Sequence, residues 1–175
     1  MLKNPLAYGI SGDQKADDPA LRVHCLDLVR QASILLAQNK MVNYHPESGN
    51  LGMTSLGRVA AHFYIQAESV TTFNEMMEAK PFASDKDLLR IIASATEFEN
   101  VRVRPEEQTE LDKLQGLCPL ELEGPIHDSV TKSYVLMQAF ISREKIKSFT
   151  LISDSNYIAS NAGEYSVVSY RPYRL

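Results

Sequence analysis

The stretch from Thr54 to Arg104 constrains the fold more than any other part of this 175-residue chain. Three times within it, apolar side chains recur at the three- and four-residue spacing that places them on one face of a helix. The three predicted helices follow Thr54, Ser69 and Ser84, and Asp87 stands three residues after Ser84, as in a capping box. Three short amphipathic helices in succession predict a mainly α-helical core.

The segment before this stretch predicts one long helix and a small β-hairpin. Asp18 and Pro19 are typical of a helix start, and the residues that follow predict a helix to about Asn39. Its predicted buried stripe consists of Leu21, Cys25, Leu28, Val29, Ala32, Leu35 and Leu36. From Met41 to Met53 apolar residues alternate on either side of the turn sequence HPESGN, which predicts an antiparallel hairpin. A helix, a hairpin and another helix are the order typical of the second half of a winged-helix module.

Three further helices are predicted after the central stretch, near Pro105–Gly116, Tyr134–Ile141 and Phe149–Ala162. The last of them meets Gly163 and then the tail EYSVVSYRPYRL, which alternates in polarity and contains Pro172. Neither feature supports a helix, so the tail is predicted to leave it.

Charge limits the kinds of partner that the chain can bind. A net charge of −4 argues against wholesale electrostatic wrapping of nucleic acid, so any contact with DNA or RNA must be local. The basic cluster of Arg143, Lys145 and Lys147 follows a predicted helix end, where cations complement the helix dipole, and a phosphate contact is the alternative interpretation. The acidic residues are interpreted as solvated helix faces, in two groups: Glu106, Glu107 and Glu110, and then Glu97 and Glu99.

Motifs for independent catalysis or metal binding are absent from the sequence. It contains no GxxxxGK[ST] phosphate loop and no Asp-Glu-x-His box, so this chain alone is not expected to hydrolyse ATP. The four histidines are scattered, and Cys25 and Cys118 form no CxxC pair, which predicts two buried or half-buried thiols. No signal peptide and no membrane span is visible, so the chain is expected to be soluble and intracellular, in the nucleus, the cytoplasm or both.

Several sequence blocks, in the same order, resemble the segment that follows the motor domains in DExH helicases of the Ski-like group of superfamily two. The blocks are MLKNPLAYGIS, SGN with TSLGRVAAHFYI, EFENVRVRPEEQTEL and QAFISREKIKSFTLISDSNYIASNA. The resemblance covers residues 1 to about 162, and its last block is more similar to helicases of the cointegrator-complex type than to those of the spliceosomal type.

The resemblance implies a winged-helix module at residues 1–66, the first part of a Sec-sixty-three-type helical bundle at 67–162 and a divergent tail at 163–175. In that family the final bundle helix crosses the nucleic-acid channel and grips the moving strand, and Ser153–Ala162 would be its first turns. The strand-facing candidates there are Asn156, Ser160 and Asn161. Because the sequence leaves the family pattern after this point, we expect an uncovered apolar groove on the bundle.

The resemblance also implies partners and cofactors. ATP and Mg²⁺ would bind to the motor domains of a full-length helicase, and neither a cofactor nor a catalytic or metal-binding residue is expected in this chain. The expected partners are the motor domains, a single strand of RNA or DNA and other subunits of a helicase complex, with no membrane.

Two other functions compete with this interpretation. The first is a protein interaction module without nucleic-acid binding, which the acidic balance and the tail tyrosines Tyr165, Tyr170 and Tyr173 favour. The second is a small independent enzyme, which the lack of a convergent acid, base and nucleophile disfavours.

Overall fold

In a computed structural model, the chain divides into two units, Met1–Thr54 and Ser55–Leu175. The structure describes residues 4–12, 18, 20–80, 83–122 and 124–170, with side chains for all of these except residues 5 and 164–170. The fold is mainly α-helical with one small hairpin, which confirms the predicted fold class. The predicted domain boundaries, after residues 66 and 162, stay predictions.

The first unit contains a short 3-10 turn (Pro5–Tyr8), helix α1 (Arg22–Gln38) and strands β1 (Val42–His45) and β2 (Asn50–Met53). The strands pair antiparallel, with Val42 opposite Met53 and His45 opposite Asn50. Gly49 closes the turn at a φ of 69°, a conformation that glycine adopts without strain. The predicted hairpin is confirmed.

Helix α1 begins later than predicted, although Asp18 does cap it. The Asp18 carboxylate accepts hydrogen bonds from the backbone N–H groups of Val23 at 2.8 Å and His24 at 3.3 Å. Leu21, which stands between Asp18 and Val23 in the sequence, has a left-handed backbone with a φ of 52°. Regular helical geometry therefore starts only at Arg22. Pro19, the predicted first helical residue, lies outside the described residues.

The predicted buried stripe of α1 is wrong. Of its seven residues only Leu21 is buried, whereas Cys25, Leu28, Val29 and Leu35 are exposed. The physical reason is the size of the first unit, since a two-stranded hairpin offers too little apolar surface to cover a helix of 17 residues. The prediction for the thiols is therefore wrong for Cys25 and confirmed for Cys118, which is half-buried and whose pKa is raised to about 11 by burial.

The second unit is a helical bundle built around the fifth of its six α-helices in the described part of the chain. Its helices are α2 (Ser55–His62), α3 (Ala67–Ala79), α4 (Asp85–Ala93), α5 (Gln108–Gln115), α6 (Ser129–Ile141) and α7 (Phe149–Tyr170). Short 3-10 turns at Thr96–Phe98 and Pro105–Glu107 precede α5. Residues 131–139 of α6 are all buried, and α4, α5 and α7 pack against this helix. Helix α6 is thus the centre of the core.

The structure confirms one predicted helix start and corrects another. Ser84 and Asp87 form the predicted capping box at α4, with reciprocal hydrogen bonds of 3.2 and 3.1 Å. Helix α3, however, begins at Ala67, so Ser69 is not its cap. The cap comes from Glu97, whose carboxylate accepts from the Gln66 backbone N–H at 2.8 Å. Glu97 therefore caps a helix and is not part of a solvated face.

The end of α2 differs from what its apolar spacing predicts, which is that Tyr64 lies in the same stripe as Val59 and Ala60. The helix stops at His62, and Tyr64 follows in the left-handed region with a φ of 56°. The Ile65 N–H donates to the carbonyl of Ala60 at 2.9 Å, the six-to-one hydrogen bond of a Schellman motif. As a result the side chain of Tyr64 is 91% exposed and does not join Val59 and Ala60 in the core.

Helix α7 is longer than predicted, because it continues through Gly163 to Tyr170. A glycine inside a helix costs only about 1 kcal/mol relative to alanine, so Gly163 is too weak a signal to end one. The prediction that the residues after Gly163 leave the helix is wrong up to Tyr170. Pro172 and Tyr173 lie outside the described residues.

Candidate nucleic-acid interface

The candidate interface begins where α6 ends and the chain reverses. The Glu144 N–H donates to the Ala139 carbonyl at 2.8 Å, which again closes a Schellman motif. Arg143 occupies its left-handed position at a φ of 57°, where glycine is the usual residue. The arginine is exposed there, and its charge lies at the negative end of the α6 dipole.

A non-helical link, residues 144–148, connects this reversal to α7. Exposure alternates along it, with Lys145 and Lys147 exposed and Glu144, Ile146 and Ser148 partly covered. In extended chain, side chains two residues apart lie about 7 Å apart on one side. Arg143, Lys145 and Lys147 thus form a row of three exposed cations. We call these three residues the basic link.

The start of α7 is already occupied by a carboxylate from α5. The two oxygens of Glu110 accept hydrogen bonds from the backbone N–H groups of Lys147 at 2.6 Å and Ser148 at 3.0 Å. The interpretation of Glu110 as part of a solvated face is therefore wrong. Since this carboxylate satisfies the N–H groups, a phosphate approaching the basic link meets the lysine side chains and not the helix terminus.

Helix α7 turns one face to the core and another to solvent. Leu151, Ser155 and Ile158 are buried, whereas Asn156 and Ser160 lie one turn apart on the exposed face. Asn161 is half-buried beside them. Two of the three predicted strand-facing residues thus share one exposed face.

The three residues differ in whether their side-chain donors are already used in hydrogen bonds within α7. The Ser160 hydroxyl donates to the Asn156 carbonyl at 2.8 Å, and the Asn161 amide donates to the Tyr157 carbonyl at 2.7 Å. Both side chains therefore use a donor on their own helix and keep acceptor oxygens. Asn156 makes no side-chain hydrogen bond among the described residues, so it is the best placed of the three to donate to a phosphate or sugar.

A surface cleft brings Arg143 and Asn156 together. It has a volume of about 630 Å³ and lies between the end of α6 and the first turns of α7, with Phe140, Ile141 and Ile152 also in its wall. Phe140 and Ile141 are exposed, so the cleft combines apolar side chains with one cation, one amide and the carboxylate of Glu144. Lys145 and Lys147 belong to the adjacent link, and Ser160 and Asn161 lie further along α7; none of these four lines the cleft.

Beneath this surface lies a cluster of charged residues that sequence reasoning missed. Lys132 and Glu107 are fully buried and bind each other at 2.5 Å, and Asp154 of α7 joins them at 2.7 Å from the Lys132 amine. The interpretation of Glu107 as a solvated residue is therefore wrong. One signal was available in the sequence: Lys132 is the single charge within the apolar helix SVTKSYVLMQAFI, and a buried lysine needs a partner.

The structure also bears on membrane and metal sites. No helix in the described ranges is both long and apolar enough to cross a membrane. Within those same ranges, the His, Cys, Asp and Glu side chains form no group of three or more that is placed to bind a metal ion.

Comparison with known proteins identifies the bundle. The family model described as the Sec63 Brl domain matches residues 53–167. The chain is 44% identical over 163 residues to activating signal cointegrator 1 complex subunit 3 of Dictyostelium discoideum, and 40% identical over 163 residues to the human U5 small nuclear ribonucleoprotein 200 kDa helicase. It is 43% identical over 162 residues to the DExH-box ATP-dependent RNA helicase DExH14 of Arabidopsis thaliana. These alignments cover 92–93% of the chain but only 7–8% of each relative.

Proposed function

Because the chain belongs to the Sec63 Brl domain family, we propose that it acts as a non-catalytic part of an ATP-dependent DExH helicase and guides a single strand of nucleic acid. In this proposal ATP and Mg²⁺ bind to motor domains supplied by other sequence, as the DExH and ATP-dependent descriptions of a relative suggest. This chain contributes contacts to the strand and no catalytic group. RNA is the favoured strand, because that relative is named as an RNA helicase.

The observation that carries the proposal is the position of the basic link next to the exposed face of α7. Exposed Lys145 and Lys147 supply charge, and Asn156 in the neighbouring cleft supplies a donor. Contacts of these two kinds bind phosphate and sugar without reading sequence. The arrangement fits a translocating strand, which must be gripped whatever its bases, and it keeps the contact local on a protein of net charge −4.

A second surface supports docking on the motor domains. The exposed side chains on α1 include Val23 and Leu26, both 70% exposed, and also Val29 and Leu35. So much exposed apolar surface on one helix indicates an interaction site. Since the chain spans less than a tenth of each relative, we assign this surface to the motor domains encoded by the rest of such a protein.

The proposal is tested by the binding of the full 175-residue chain to a fluorescein-labelled poly(U) RNA, measured by fluorescence anisotropy. The test variant is Lys145→Gln with Lys147→Gln. At 0.1 M salt one phosphate contact to a single strand contributes a factor of about 5, so loss of both lysines is expected to weaken binding about 25-fold. The slope of log affinity against log salt should fall by about 1.4.

The matched control is Arg58→Gln with Arg102→Gln, which removes two exposed cations that are not part of the basic link. Both variants lower the net charge by two, so a difference between them reports position and not overall charge. Equal affinities of the two variants, or RNA binding by neither the variants nor the parent, would contradict the proposal.

The alternative is an interaction module that binds protein and no nucleic acid, in which a partner other than motor domains covers the α1 surface. The tail tyrosines first suggested it, but the side chains of Tyr165, Tyr170 and Tyr173 lie outside the described part of the chain. The exposed apolar residues of α1 favour it instead. A chain that stays folded and shows no salt-sensitive RNA binding would support this alternative. By analogy with the relative named a small nuclear ribonucleoprotein helicase, we also propose a nuclear location, within a helicase complex.

A further inference from the structure

We propose that the buried charge cluster of Arg104, Glu107, Lys132 and Asp154 fixes the position of α7 along α6 and is thereby the positioning element of the strand-binding face. The functional half of this proposal rests on the proposed function. The structural half, that the cluster sets the position of α7, stands on the contacts alone.

The cluster joins three separate segments of the bundle. The Lys132 amine on α6 donates to the Glu107 carboxylate at 2.5 Å, to the Asp154 carboxylate at 2.7 Å and to the Arg102 carbonyl at 2.9 Å. The Arg104 guanidinium donates to the same two carboxylates, at 2.5 Å to Glu107 and 2.9 Å to Asp154. Two cations thus face two carboxylates, so the charges of the cluster are balanced, with the Arg104 side chain 37% exposed at its edge.

Because the cluster is largely buried, it favours one position of α7 along α6 over others. The side chains of Lys132 and Glu107 are fully buried, and that of Asp154 is 17% exposed. Burial alone would raise the pKa of Glu107, but hydrogen bonds from Lys132, Thr150 and Arg104 lower it to about 2. A buried charge that loses its partner is strongly unfavourable, so arrangements of the helices that separate Lys132 from Asp154 are disfavoured.

The apolar contacts of α7 do not select one position to the same degree. Its buried side chains are Leu151, Ser155 and Ile158, while α6 offers a surface that is buried on all sides. Apolar packing is not directional, so it discriminates less sharply than an ion pair against a slip by one helical turn of about 5.4 Å. The same slip would move Asp154 out of reach of the Lys132 amine, so the ionic contact distinguishes the two positions.

The consequence for function follows from the helix itself. Asn156 and Ser160 lie on the same rigid helix as Asp154, two and six residues further on. An error in the axial position of α7 therefore moves Asn156 out of the cleft and shifts both residues relative to the basic link. Lys132 and Asp154 act through this placement and touch no strand themselves.

The test variant is Lys132→Met with Asp154→Asn in the full chain. It removes the ionic contact between α6 and α7 and leaves Arg104 paired with Glu107, so no charge is left without a counter-charge. The matched control is Lys80→Met with Asp87→Asn, the same two substitutions at the exposed ion pair beside α4. Asp154→Asn alone is the milder variant if the double variant does not unfold cooperatively.

The readout is the distance between spin labels at Thr109 and Ser160, each introduced as cysteine with Cys25 and Cys118 replaced by serine. Because Glu110 contacts the start of α7, a label at Thr109 lies near that end of the helix, and the distance to residue 160 runs mainly along the helix axis. We expect a narrow distribution in the parent and the control. In the test variant the distribution should broaden or shift by about 5 Å, and poly(U) affinity should fall about fivefold or more.

The outcomes separate the two proposals. A narrow and unchanged distance in a folded test variant would overturn the positioning role. The contacts that fix α7 would then be those of Glu110 and of Tyr157, whose hydroxyl donates to the Glu97 carbonyl at 3.0 Å. A changed distance with unchanged RNA affinity would overturn the functional half. If the parent chain binds no RNA, the proposed function fails, while the distance measurement still decides whether the cluster positions the helix.

Discussion

The stability of the bundle should depend on pH through Glu107. Contacts with Lys132, Thr150 and Arg104 lower the pKa of this buried carboxyl from its ordinary value of 4.5 to about 2. A lowered pKa in the folded state stabilises the protein fully above the unfolded value, and the stabilisation is lost as pH falls towards 2. The difference in pKa corresponds to about 3 kcal/mol at pH 7, of which about 2 kcal/mol should be lost by pH 3.

The perturbation that isolates this group is Lys132→Met with Glu107→Gln, which removes the pair without changing the net charge. Urea denaturation followed by far-ultraviolet circular dichroism would compare parent and variant at pH 7, 5, 4 and 3. Carboxyl groups that contact neither substituted residue titrate alike in both proteins, so their effects cancel in the difference between the two free energies of unfolding. Between pH 7 and pH 3 the parent should lose about 2 kcal/mol of stability relative to the variant. A difference that does not vary with pH would refute the reasoning.

Substitutions at two further positions, Tyr64 and Glu110, should change the free energy of unfolding in opposite directions. Tyr64→Gly should raise the free energy of unfolding by about 0.5–1 kcal/mol relative to Tyr64→Ala, because the position is left-handed and glycine accepts it without strain; equal stabilities in urea denaturation would contradict this. Glu110→Gln should lower stability by about 1 kcal/mol or less, because an amide caps α7 less well than a carboxylate. The same change should raise poly(U) affinity by a factor of about 5, since it removes a negative charge beside the basic link, and unchanged affinity in the anisotropy assay would count against the location of the site.

Most helices of the second unit could be predicted because their signals are local. The capping box of Ser84 and Asp87, and the apolar spacing around Ile91, depend only on residues within one or two turns. The same reasoning fails for α1, whose apolar stripe predicts a buried face, because burial depends on what the rest of the fold supplies to cover it. It fails again at Gly163, because one glycine is too weak a helix breaker to end a helix that is already formed before it.

The candidate site was predictable only in part, for a related reason. The resemblance to the helicase family suggested Asn156 and Ser160, and the spacing of the cations suggested the basic link. The roles of Glu107 and Glu110 depend on partners 25 and 37 residues away in sequence, which no local pattern reveals. An acidic run at a helix start is usually solvated. Here the fold of the bundle brings Glu107 and Glu110 of that run into contact with other segments.

The most direct test of the central claim is photocrosslinking of the full chain to poly(U) containing 4-thiouridine, with the crosslinked peptides identified by mass spectrometry. The account predicts that crosslinks concentrate in the region from Arg143 to Ser160, on the basic link and the exposed face of α7, and that Lys145→Gln with Lys147→Gln reduces them. Crosslinks confined to α1 and the hairpin, or spread evenly over the surface and insensitive to that variant, would contradict it.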